Sequence, residues 1–159
     1  VRDNSLSAVP QSAVTVAERA RAAGFATAAF VSANVLDRAF GLDQGFEHYS
    51  QPPRENQVVG GLGFSARSAV TTAQELITWL RALPPEREFF AWAHFFDPHQ
   101  PWSAEKRFLE AAGGHPYLAE VAATDDAIGQ IVASLRELGR LDSTTIVVVG
   151  DHGEGLGEH

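Results

Sequence analysis

Three short runs in this chain are apolar at nearly every position: Thr27-Ala28-Ala29-Phe30-Val31, Phe89-Phe90-Ala91-Trp92-Ala93-His94-Phe95-Phe96 and Thr144-Thr145-Ile146-Val147-Val148-Val149. None has the in-and-out alternation of a strand with one wet face, so each is expected to be a strand covered on both sides. The third, rich in β-branched residues, is the clearest strand pattern of all, and the second reads as a central strand. Helical patterns fill the intervals. Thr15-Val16-Ala17-Glu18 has capping-box spacing and opens a helix that Gly24 stops, with Val16, Ala20 and Ala23 on one face. Ser65 to Leu83 places Val70, Ala73, Ile77 and Leu80 at helical spacing, and Pro84-Pro85 ends it. Pro116 to Gly139 predicts a third helix, with Leu118, Val121, Asp125, Ile128, Val132 and Leu135 as its apolar stripe. Residues 33–63, punctuated by Gly41, Gly45, Pro52, Pro53, Gly60, Gly61 and Gly63, read mostly as loop.

Helices alternating with doubly covered strands define an α/β fold, a largely parallel sheet flanked by helices. Sites in such sheets lie beyond the carboxyl ends of the strands. Two polar clusters fall there, Asp97 with His99, and Asp151 with His152 and Glu154.

The net charge of −8, with the twelve basic residues scattered, excludes a nucleic-acid partner, which requires a basic face. No apolar run approaches the roughly 20 residues needed to span a membrane. With 45% hydrophobic residues the chain can build a core. It contains no Met, so Val1 is not a translation start, and it stops at His159 just after a glycine-rich turn. We therefore expect residues 1–159 to be an internal part of one domain, truncated at both ends. The compartment stays open, an exported or periplasmic location included, because a leader would lie outside these residues.

In Asp151-His152 a carboxylate and an imidazole emerge together from an apolar run, with Gly150 and Gly153 allowing a tight turn. A mixed oxygen and nitrogen pair suits Zn²⁺ or Mn²⁺, whereas Ca²⁺ prefers oxygen. Two ligands are not a site, and the competing reading is an N-cap Asp followed by a surface turn. His99 sits between Pro98 and Pro101, and an imidazole fixed beside an ion can protonate a leaving oxygen or bind an anionic ester. His94, in the strand, reads as a packed core histidine with one hydrogen bond. Asp125, on the apolar stripe, reads as a structural hydrogen-bonding carboxylate. Gly41-Leu42-Asp43-Gln44-Gly45-Phe46 lacks the strand–loop–helix setting of a phosphate loop and reads as a structural turn. No serine occupies a strand-to-helix elbow, so no Ser-His-Asp triad can be argued.

Over essentially its whole length the chain resembles the sulfatase family of the alkaline-phosphatase superfamily. The resemblance rests on Thr15–Val31, Gly41–Tyr49, Phe89–Trp102, Tyr117–Gly139 and Thr144–His159. Asp-His-Gly alone occurs across the superfamily. Its extension through Gly-Glu-Gly-Leu-Gly-Glu-His, with Asp-Pro-His-x-Pro upstream, is much more specific to the sulfatase-like branch. The resemblance implies that Asp151 and His152 are the second pair of ligands to one divalent metal. Many sulfatases have Asn at the position of His152 and use Ca²⁺, the usual ion of the family, so His152 leaves Ca²⁺, Mn²⁺ and Zn²⁺ open. It implies that His99 contacts a small-molecule or glycan sulfate ester and assists the leaving group, and that Trp102 stands at a substrate-lining aromatic position. It also implies a first carboxylate pair and a formylglycine nucleophile within a Cys/Ser-x-Pro/Ala-x-Arg motif. There is no Cys here to modify, and both are expected upstream of Val1, where the hydrated aldehyde would attack sulfur. Two other readings share Asp-His-Gly: a phosphonate or phosphodiester hydrolase or phosphoglycerol-type transferase, separated by its Thr or Ser nucleophile, and a non-catalytic relative. Retention of Asp151, His152 and His99 together weighs against the last.

Overall fold

In the computed structural model, which describes residues 8–53 and 66–157, the capping box forms as its spacing predicts. The Thr15 hydroxyl accepts the Glu18 amide at 3.1 Å and the Glu18 carboxylate accepts the Thr15 amide at 2.8 Å, opening α1 (Val16–Ala22). The inward face differs from the expected one. Ala17 is buried while Val16 is 67% exposed. The reason is the close approach of Gly45, which lies against Ala17 and Glu18 and makes their side of the helix the contact side.

Three strands form one parallel sheet in the order β2-β1-β3: β1 (Ala26–Val31), β2 (His48–Ser50) and β3 (Phe89–His94). Ala28 of β1 is in register with His48 on one side and Ala91 on the other. β1, not β3, is the central strand, and every residue of β1 is buried. Its alternate residues serve two cores. Ala28 and Phe30 pack with Leu76, Leu80 and Leu135, while Ala29 and Val31 pack with Tyr49, Leu42, Phe46 and Trp92. Burying Phe30 contributes roughly 1.5–3 kcal/mol. β2 falls inside the stretch expected to be mostly loop, its one buried residue being Tyr49, whose hydroxyl donates to the Leu36 carbonyl at 2.6 Å. The loop glycines Gly60, Gly61 and Gly63, the expected helix start at Ser65, and Glu158-His159 lie outside the described residues.

α2 (Ala69–Ala82) starts at Ser68, whose hydroxyl accepts the Thr71 amide. A short α3 (Lys106–Ala111), absent from the sequence reading, precedes α4 (Pro116–Glu137), which begins on Pro116 as expected. α4 buries Ala119, Glu120, Ala123, Ala127 and Leu135; the stripe expected to face inward leaves Leu118 at 50% and Val121 at 40% exposure, with Asp125 exposed. Small side chains decide this. Ala69 and Ala73 of α2 meet Ala127, so the helices approach closely along an alanine ridge there, while Leu76 and Leu80 meet Leu135 further along.

The third apolar run is the clearest departure. Residues 144–149 join no sheet among the described residues, and Val147, Val148 and Val149 are 77%, 68% and 79% exposed. The segment leaves a short 3-10 turn (Leu141–Ser143) beside the start of β3, where Arg140 bonds the Arg87 carbonyl and its guanidinium covers the Phe89 ring. At its far end Asp151 acts electrostatically on His94, the last residue of β3. β-branching favours an extended backbone, but a strand also needs a neighbour to take its amides and carbonyls, and among the described residues no such pairing forms.

Candidate functional site

β3 delivers the chain into Asp97-Pro98-His99-Gln100-Pro101-Trp102, the loop beyond its carboxyl end. The His99 amide donates to the Phe96 carbonyl at 2.9 Å, and the imidazole stacks on the Phe96 ring at 4.5 Å. Its Nδ1 lies 2.6 Å from the Gln100 carbonyl. A carbonyl only accepts, so Nδ1 carries the proton and Nε2 is left for chemistry. The Trp102 indole N–H donates to the Pro98 carbonyl at 2.9 Å and its ring meets Tyr117, so this aromatic braces the loop.

His99 and Asp97 line a cavity of about 180 Å³ closed by Arg67 and Ser68 before α2, Glu105 and Phe108 around α3, and Glu120 of α4. Trp102, Asp151 and His152 do not line it. Asp97 accepts the Ala69 amide in the first turn of α2 and shares a side-chain hydrogen bond with Glu120. Burial, that hydrogen bond and the facing Glu120 charge push the Asp97 carboxyl up to about 6. Glu120 is 4% exposed and also accepts the Ser103 amide at 2.5 Å. The sequence reading looked for a buried carboxylate on α4 at Asp125. The group that fills that role is Glu120, and only the alanines on either side of it, Ala119 and Ala123, signal its inward face.

Asp151 and His152 follow the exposed extended segment and are themselves exposed. The Asp151 carboxylate accepts the His152 amide at 3.0 Å, His152 Nδ1 donates to the Gly153 carbonyl at 2.8 Å, and Nε2 lies 3.8 Å from the Asp151 carboxylate. The Gly153 carbonyl, then Asp151 and Glu154, raise the His152 pKa. The donor chemistry suits a divalent ion. With its proton on Nδ1, neutral His152 keeps a lone pair on Nε2, 3.8 Å from the Asp151 carboxylate, and two donors each about 2.1 Å from one ion stand roughly 3–3.5 Å apart. Among the described residues no third His, Cys, Asp or Glu joins them in a metal-holding group. Burial lowers the pKa of His94, which is half-buried, although Asp151 acts to raise it. The hydrogen bond foreseen for the ring is missing at Nδ1, which is buried without a partner among the described residues. Gly41 and Gly45 both take positive φ in a turn against Val9 and α1, as the structural reading of that segment requires.

A family model described as Sulfatase matches residues 2–159. N-acetylglucosamine-6-O-sulfatase of Bacteroides thetaiotaomicron is 49% identical over 43 residues, which make up 27% of this chain and 8% of that protein. The match therefore spans far less than two thirds of that relative's length. Among the described residues no helix is long and apolar enough to cross a membrane.

Proposed function

Because the chain belongs to the sulfatase family, we propose that it is the central part of a metal-dependent sulfuric ester hydrolase. In this reading His99 protonates the departing alcohol, while Asp151 and His152 supply two ligands to one divalent ion. The observation that carries it is shared by both histidines. Each gives Nδ1 to a backbone carbonyl and keeps Nε2 free, the arrangement needed for a proton donor in one place and a metal ligand in the other. A divalent ion held there would neutralise anionic charge and lower the pKa of the attacking group. The Nδ1 proton of His99 stays on the Gln100 carbonyl, so the proton it donates is a second one, carried at Nε2 by the imidazolium form; Phe96 sets the ring position and Trp102 keeps the loop in shape. The chain has no Cys, and the Ser50 of its one Ser-x-Pro-x-Arg sequence, Ser50-Gln51-Pro52-Pro53-Arg54, is bonded through its hydroxyl to Glu75 and Arg67, so we place the formylglycine nucleophile and the remaining ligands outside residues 1–159.

The relative's name brings a substrate class with it, a sulfate ester on an amino sugar. In the full-length protein, His99→Ala is expected to lower sulfate release from 4-nitrophenyl sulfate and N-acetylglucosamine-6-sulfate by about 10²–10⁴-fold with bound metal unchanged. Asp151→Ala is expected to lose the metal. Undiminished sulfate release in the first variant, or full metal content in the second, would overturn the assignments. The 159-residue chain alone is expected to release no sulfate above its His99→Ala control.

A further inference from the structure

We propose that Glu120 is a positioning residue for His99, a clamp that holds the two ends of the 97–103 loop together through Asp97 and Ser103. The proposal rests on the assignment of His99 above for its catalytic meaning, but not for its geometry. Glu120 lies one turn into α4, is 4% exposed, and reaches across to the loop at both ends: the Ser103 amide donates to one carboxylate oxygen at 2.5 Å, and Asp97 shares its side-chain hydrogen bond. Everything between those two anchors is the His99 segment. The Trp102 indole closes back on Pro98 inside the same loop, so fixing residues 97 and 103 fixes the path of His99. Asp97 in turn receives the Ala69 amide, which ties the loop to the start of α2. The Glu120–Asp97 pair therefore registers the end of β3, the start of α2 and α4 against one another.

Two carboxyl groups bonded to each other in a buried place retain one proton between them, because two facing charges there repel. The other ionisable groups on the same cavity are Arg67 before α2, Glu105 at the start of α3 and His99 itself. Arg67 is committed elsewhere, to Glu75 at 2.6 Å and to the Ser50 hydroxyl, so it does not neutralise the pair. The clamp is therefore closed while Asp97 keeps its proton and loosens once Asp97 ionises opposite the Glu120 carboxylate.

Amide hydrogen exchange at Ser103, read by NMR in the full chain, tests this. Glu120→Ala is expected to speed Ser103 exchange about 10- to 100-fold, the range set by losing a hydrogen bond to a charged acceptor, with amides of β1 unchanged. Glu120→Gln keeps the shape and the acceptor, so Ser103 stays protected; in the parent chain protection falls above about pH 6, and in this variant that pH dependence is abolished. Unchanged Ser103 exchange in Glu120→Ala, or the same pH dependence in Glu120→Gln, overturns the clamp. If the clamp behaves as stated while His99→Ala leaves sulfate release intact, the geometry stands and the catalytic role of His99 falls.

Discussion

Replacing Gly45 by Ala asks how closely the chain can be packed against the start of α1. Gly45 sits at φ 92°, and a Cβ there would lie 2.3 Å from the Glu18 amide nitrogen and 2.7 Å from the Ala17 carbonyl carbon. Both are backbone atoms of the first helical turn, so neither can rotate away; relief needs a shift of about 1 Å in the chain itself. The left-handed conformation costs an alanine roughly 1–2 kcal/mol. The overlap adds about 1–3 kcal/mol, as overpacking does. A shift large enough to relieve it also disturbs the Thr15 cap, worth about 1 kcal/mol, because the Thr15 hydroxyl is bonded to both Glu18 and the Gln44 carbonyl. The sum is about 3–6 kcal/mol. Gly139→Ala is the matched control: its φ of 66° is also left-handed, but a Cβ there meets nothing within 4 Å, so only the conformational cost of about 1–2 kcal/mol applies. Urea unfolding followed by tryptophan fluorescence gives both values. Equal destabilisation of the two variants would refute the packing argument and leave backbone conformation as the whole effect.

Two further outcomes follow from the same structure. Val148→Thr is expected to change stability by less than about 0.5 kcal/mol in urea titration of this chain, since Val148 is 68% exposed; a loss of 1 kcal/mol or more would mean that the segment is buried after all. Asp97 has a folded pKa of about 6 against an ordinary 3.8, so the folded state holds its proton more tightly. Its contribution to stability is fully present below about pH 3.8 and is lost as pH rises towards 6. Asp97→Asn is expected to remove that downward slope between pH 4 and 6, and a parent chain whose stability rises through this window because of Asp97 would contradict the sign.

What could be read in the sequence divides according to whether the cause is local. The cap of α1, the proline start of α4, the buried β1 and the arrival of His99 beyond a strand each depend on neighbouring residues, and each forms where the pattern placed it. The inward face of α4 depends on α2: helical spacing supplies two candidate stripes, and only the closeness that Ala69 and Ala73 permit selects the one with Ala119, Glu120 and Ala123. The consequence reaches the site, because choosing the alanine stripe buries Glu120, and that carboxylate then organises the loop in which His99 sits.

The run 144–149 shows the limit from the other side. Its residues fix a backbone preference, extended and β-branched, but the strand state is a property of a pair, since each amide needs an acceptor on another chain segment. Among the described residues the pairing does not form, and the valines stand in solvent. Asp151 and His152 thus leave the end of an unpaired extended segment, while His99 leaves the end of a strand locked to β1 through six registered residues. The two halves of the candidate site differ in how firmly the fold holds them, so a substitution that loosens β1–β3 pairing acts directly on His99 and on the Asp151–His152 pair indirectly, through Arg140 beside Phe89 and the electrostatic influence of Asp151 on His94.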